Sequence, residues 1–225
     1  MAVVPNDDRS DGGHTSGVTD RTVGLALFLP VPIVLWLFTA APLGPLPSVL
    51  LGVIAMATHR FYARPWALAR ANRRCLWCGG AAGEGPRIEL HEPGGPSVWR
   101  ACSPSHASRL GHALEAARTL APLLRVGILG GLCAFLVGVL LAASGTLVPV
   151  THADAVALFK ACVAVAVVPF GWLSPYFRSR LAEPARVPFP VHIQALIGTW
   201  SVLWLFRVVG IVWLVQAIRH ALLPP

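Results

Sequence analysis

Charge is what this chain has least of. Of its 225 residues only 12% are Asp, Glu, Lys or Arg, while 55% are hydrophobic and the mean hydropathy is +0.65. That charged share is about half of what ordinary soluble domains carry. The shortage is uneven, with 10 acidic residues against 18 basic ones and a formal net charge of +8. So little charge over so much apolar sequence argues against a soluble globular protein, and against disorder for most of the chain. Residues 22–59 contain no charged residue at all. No carboxylate lies inside any apolar run, and a proton- or cation-coupled transporter normally needs one there. An H-E-x-x-H pattern, a phosphate-binding glycine loop and a nucleophile–base arrangement are also missing, so nothing in the sequence asks for catalysis. The basic start of a secretory signal is absent too: residues 1–21 are net negative and read as a disordered tail.

What is present is a series of apolar runs. The uncharged stretch is too long for one bilayer crossing of about 20 residues. Turn-forming Pro42, Gly44, Pro45 and Pro47 divide it into helices at roughly 23–41 and 47–63, with a re-entrant hairpin as the competing reading. Three more runs follow, at roughly 123–148, 156–174 and 191–218. The expected fold is therefore an all-α polytopic membrane protein of about five transmembrane helices. Its organisation is a tail (1–21), two spans (22–64), a polar module (65–121) and three further spans (122–225). Arginines crowd the module and the loop that holds Arg178, Arg180 and Arg186, whereas the loops near 42–47 and 149–155 contain none. By the positive-inside rule the N-terminus and the module are cytoplasmic, at a bacterial-type inner membrane, and the C-terminus is outside. The cluster Arg60, Arg64, Arg70, Arg73 and Arg74, interleaved with Phe61, Tyr62 and Trp66, suits an anionic lipid surface. Topology already accounts for these arginines, which makes nucleic acid an improbable partner.

The module carries the sharpest motif. Cys75-Leu-Trp-Cys78-Gly-Gly is followed, after 23 intervening residues, by Cys102-Ser-Pro-Ser-His106. Zinc takes four soft or borderline ligands in a tetrahedron, and two short pairs on separate turns supply them. A C-x-x-C knuckle points both thiolates to one side, and Ser103-Pro104 reads as a helix start that places Cys102 and His106 on one face. Between the pairs, residues 87–91 and 97–101 flank Glu92-Pro-Gly-Gly-Pro96 as a β-hairpin. Glu89, His91, Glu92 and His112 are spare ligand types, His91 being the better substitute for His106. His112 reads as a helix-surface residue.

Knuckle, hairpin and helix, in that order, resemble the small treble-clef zinc fingers of the TRASH and YHS type. The resemblance covers residues 75–117 only. It implies a zinc site and, weakly, heavy-metal handling or sensing. The plainer alternative is a zinc ion that replaces a core too small to fold alone.

Inside the apolar runs, Gly127, Gly131 and Gly138 form a small-residue face, read as a packing seam within the bundle or a homo-oligomer contact. Arg207 lies midway along the last run, with Trp200 and Trp204 on its face, and intramembrane charge is a functional-site hypothesis by default. It would touch an anionic ligand or the carbonyls of a helix break. Asp154 reads as an N-cap, Lys160 as a snorkelling residue, and Cys133 and Cys162 as inert packing. The expected function is that of an accessory, sensor or adaptor. A small transporter or channel component using Arg207 is the first alternative. A membrane-embedded enzyme, with Lys160, Arg207 and His192 converging, is the second.

Overall fold

The computed structural model describes residues 16–40, 45–70, 72–91, 98–144, 151–178, 185–186 and 191–223. The helices are α1 (Ser16–Phe28), α2 (Pro30–Ala40), α3 (Pro45–Thr58), α4 (Arg64–Ala69), α5 (Pro104–Thr119), α6 (Ala121–Arg125), α7 (Gly131–Ser144), α8 (His152–Leu173), α9 (Val191–Ile197) and α10 (Thr199–Leu222). A small sheet joins β1 (Arg87–His91), β2 (Val98–Arg100) and β3 (Ala185–Arg186) in the order β2-β1-β3.

Among the described residues three stretches are long and apolar enough to cross a bilayer: Ala121–Ala142, His152–Tyr176 and Thr199–Leu222. Only 22, 33 and 17% of their respective apolar windows are buried against protein. Their outer faces, with Leu140, Val165 and Val215 all exposed, suit lipid tails better than water.

The apolar stretch before the module forms two helical stretches, 16–40 and 45–69, which cover most of the two helices expected there, and each is interrupted. Pro30 and Pro32 divide the first at Leu29, and backbone bonds from Leu29 to Leu25 (2.9 Å) and from Ile33 to Leu29 (3.1 Å) bridge the break. Residues 16–40 thus run as one helix kinked at Leu29, and Pro45–Thr58 is followed by further helix without a break. A π-helical turn, His59–Ala63, then leads into α4. Helix α1 opens at Ser16, inside the stretch read as a disordered tail. Of the expected turn, Pro42 and Gly44 lie outside the described residues, whereas Pro45 and Pro47 open α3.

The last apolar run is also not one helix. Gly198, at φ +85°, separates α9 from α10, and α9 packs on α1 and α4. At the other end of the bundle Thr151 caps α8, accepting from the Asp154 N–H at 3.2 Å while the Asp154 carboxylate accepts from the Thr151 N–H at 2.8 Å. The cap is thus Thr151, with Asp154 completing a capping box.

Small residues set the packing. A Cβ on Gly127 would lie 2.2 Å from that of Ala166, and one on Gly138 would lie 2.7 Å from that of Ala155. With Gly131 placed against Cys162, this face is occupied by α8 of the same chain. Cys133, by contrast, is on the exposed side of α7: hydropathy alone does not distinguish a lipid-facing position from a helix-facing one. One continuous buried core runs from Leu76, Leu90, Trp99 and Leu110 in the module to Leu196, Leu203 and Phe170 in the helices.

Candidate metal centre

The knuckle forms because its backbone closes on itself. The Cys75 N–H donates to Gly80 O at 2.7 Å and the Gly79 N–H to Cys75 O at 2.8 Å, with Gly79 at φ +70°. A side chain is disfavoured in that left-handed conformation, which glycine adopts freely. The Leu76 N–H then donates to Arg100 O at 3.0 Å, which brings the end of β2, and Cys102 two residues on, beside the knuckle. In the hairpin Ile88 stands opposite Trp99, which is fully buried. The hairpin turn, residues 92–97 including Glu92, lies outside the described residues. Ser103 caps α5, its hydroxyl accepting from the His106 N–H at 3.3 Å, with Pro104 in the first turn. Cap and proline fix the direction of that turn, and so the direction of His106.

Cys75, Cys78, Cys102 and His106 converge. Their ligand atoms all lie within 4.8 Å of one another. Sγ of Cys78 and Sγ of Cys102 are 3.9 Å apart, and His106 Nδ1 is 3.0 Å from Cys102 Sγ and 3.7 Å from Cys75 Sγ. A tetrahedron with metal–sulfur bonds of about 2.3 Å has sulfur–sulfur edges of about 3.8 Å, so the cluster fits a metal ion. Three cysteines and one histidine are a donor set compatible with zinc. The protonation chemistry agrees. The Cys78 thiol donating to Cys75 holds the Cys75 thiol down to about 4, and the same bond pushes Cys78 up. Burial pushes Cys102 up. Negative charge thus settles on one sulfur first, and three adjacent thiolates persist together only around a cation.

Glu89 is exposed, and His91 occupies the end of β1. His112 is a half-buried anchor, with Nδ1 bonded to Phe177 O beyond the end of α8, and it does not sit on an open helix surface as expected.

The knuckle reaches beyond the module. The Thr199 N–H donates to Leu76 O at 2.9 Å and the Trp200 N–H to Trp77 O at 3.0 Å, while the Thr199 hydroxyl donates to Leu76 O at 2.9 Å. The first N–H groups of any helix have no partner within it. In α10 those of its first two residues are satisfied by the Cys75–Cys78 knuckle. The approach is close enough that a Cβ on Gly198 would stand 2.6 Å from the Cys78 carbonyl carbon. The loop between the last two spans joins in as well, with β3 pairing parallel to β1. The sequence reading missed this junction; its one local signal is Gly198, a helix breaker inside an apolar run.

The Arg-rich cluster divides. Arg60 and Arg73 are exposed, whereas Arg74 is 3% exposed beneath the knuckle, its Nε donating to Gly79 O at 3.1 Å. Arg207 donates from Nε to Gly171 O at 2.7 Å. That carbonyl would normally bond the N–H four residues on, but position 175 is Pro175, which has none. The Arg207 guanidinium lies 5.2 Å from the rings of both Trp172 and Trp204, and Trp200 packs on Trp204 instead of on the arginine. Lys160, Arg207 and His192 take separate partners: Lys160 donates to Gln216 at 2.9 Å, and His192 Nε2 lies 2.8 Å from His59 Nε2. The histidine pair, 133 residues apart in sequence, left no local signal.

No protein-family model, curated protein or solved structure matches this chain.

Proposed function

We propose that the protein is a multi-pass membrane protein in which a Cys3His zinc site acts as an accessory, sensor or adaptor element on the last transmembrane helix. The observation that carries this reading is the capping of α10 by the carbonyls of Leu76 and Trp77, both within the Cys75–Cys78 knuckle. Without metal only its backbone bonds hold the knuckle, and the four convergent ligands, three of them sulfur, repel one another or take up protons. Metal binding therefore orders the first turn of a membrane span as well as a small cytoplasmic module. The treble-clef order of elements and the metal-handling association of TRASH-type fingers are consistent with this role.

The sidedness is robust to how the first apolar pair is arranged. Whether α1–α3 cross twice, giving five spans, or fold back as a re-entrant hairpin, the N-terminus stays on the module's side and the C-terminus lies opposite. The concentration of arginine in the module and in the 177–190 loop assigns that shared side to the cytoplasm.

The test uses the full chain in detergent. One zinc per chain is expected. Chelation should speed amide exchange at Thr199 and Trp200 while leaving the middle of α8 unchanged. Identical exchange at those two amides with and without metal overturns the coupling.

A further inference from the structure

Arg207 is a charge inside a span with no opposite charge beside it. Asp154 is the one carboxylate in the three bilayer-length stretches. It is held by Thr151 and His220 near the start of α8, about 26 Å along that helix from Gly171. An arginine has five N–H donors. Nε of Arg207 meets Gly171 O, and among the described residues no second acceptor meets the guanidinium. Its other neighbours are the rings of Trp172 and Trp204. A carbonyl and two ring faces stabilise a cation but leave its charge in place, and an uncompensated charge is costly in hydrocarbon.

The nearest source of a counter-charge is the membrane surface at the module end of the bundle. Arg207 lies eight residues into α10, about 12 Å from its first residue. Helical side chains lean toward the N-terminus of their helix, here the module end. Trp172 and Trp204 flank the guanidinium and are 50 and 44% exposed, as suits tryptophans near headgroup depth. Each also heads an exposed apolar stripe: Val165 and Leu158 on α8, Val208 and Ile211 on α10. Two apolar stripes therefore end at one cation. A soluble anion would use the cation and leave the stripes, and an uncharged lipid the reverse. A zwitterionic lipid brings its own cation with its phosphate and cancels less of the charge. Phosphate oxygens accept paired guanidinium N–H groups well. We propose that Arg207 binds one anionic phospholipid of the surrounding bilayer, with the phosphate at the guanidinium between Trp172 and Trp204 and an acyl chain along the exposed stripes. This site rests on the membrane-spanning part of the functional reading and not on the metal.

The experiment is native mass spectrometry of the delipidated full chain after exposure to phosphatidylglycerol or phosphatidylcholine with identical chains. One phosphatidylglycerol should be retained several-fold more than phosphatidylcholine. Arg207→Gln should bring retention down to the phosphatidylcholine level, whereas Arg219→Gln, exposed at the far end of the same helix, should leave it unchanged. Equal retention of the two lipids overturns the proposal. So does displacement by excess inorganic phosphate, which would mark a free-anion site. If Arg207→Gln does not fold, the wild type decides. One phosphatidylglycerol per chain, with a photoreactive group on its acyl chain, should label residues 158–172 or 204–211; label elsewhere, or spread evenly over the three spans, refutes the site. Each spectrum also reports zinc, so the metal reading stands or fails separately. A chain that alkaline carbonate releases from membranes would sink the membrane reading and this site with it.

Discussion

At its first turn α10 is gripped by the backbone, through the carbonyls of Leu76 and Trp77 and a glycine contact at Gly198 that leaves no room for a side chain. Toward its other end it is held by side chains alone, with Gln216 on Lys160 and His220 on Asp154 at 2.8 Å. The first grip is made by the candidate metal site and is buried. The second is a pair of polar contacts on a half-exposed rim. On the proposed reading one helix has a conditional end and a passive end, and a signal from the metal site would enter it at the conditional one.

The largest effect expected from breaking this asymmetry comes from the metal itself. Structural zinc sites contribute on the order of 10 kcal/mol of folding free energy. Cys78→Ser should abolish stoichiometric zinc, measured by elemental analysis, and expose the α10 N-terminus to proteolysis while Asp154–His220 remains intact. Next is Gly198→Ala. A side chain at φ +85° costs about 1–3 kcal/mol in strain alone, and the added Cβ would push the knuckle away. Zinc affinity should therefore fall although residue 198 is not a ligand, as a competition titration with a chromophoric chelator would show. Thr199→Val removes one hydroxyl bond to Leu76 O, and about 1 kcal/mol of stability against denaturant in detergent should go with it. The smallest effect is at the passive end. His220→Ala should leave both zinc affinity and the protection of Thr199 unchanged, because exposed ion pairs contribute little. A His220 variant that weakened zinc binding would show that the two ends communicate and that the asymmetry is wrong.

The bundle tests the same contrast from outside. Gly127→Leu wedges the Ala121–Ala142 stretch from α8, since even a Cβ there would collide with Ala166. Overpacking of this kind costs about 1–3 kcal/mol. It should lower the unfolding midpoint while leaving one zinc per chain.

What could be read in advance follows from which features are local. Cys75, Cys78, Cys102 and His106 were identifiable because knuckle geometry and helix-start geometry are set by neighbours within five residues, Gly79 for one and Ser103-Pro104 for the other. The three long spans were visible as apolar runs, because hydropathy reports solvent directly. The two helical stretches before the module were visible in the same way, but not the kink at Leu29 or the π-helical turn His59–Ala63 that interrupt them, since hydropathy does not report helix geometry. Arg74 was grouped with its exposed neighbours because sequence shows that an arginine lies near the membrane, but not that Gly79 O and Trp66 enclose it. Arg207 was flagged by its charge. Its acceptor, Gly171 O, is free only because Pro175 follows four residues later on another helix.

The sequence by itself determined the solvent of each segment and the metal-ligand set, because hydrophobicity and short-range backbone geometry are local properties. Only the tertiary structure decided what the metal site is attached to. The Leu76 and Trp77 carbonyls meet Thr199 and Trp200 across more than a hundred residues of chain. Unpaired N–H groups at a helix start and unpaired carbonyls on a knuckle are present in any such sequence. Which of them satisfy each other is settled only when the chain has folded.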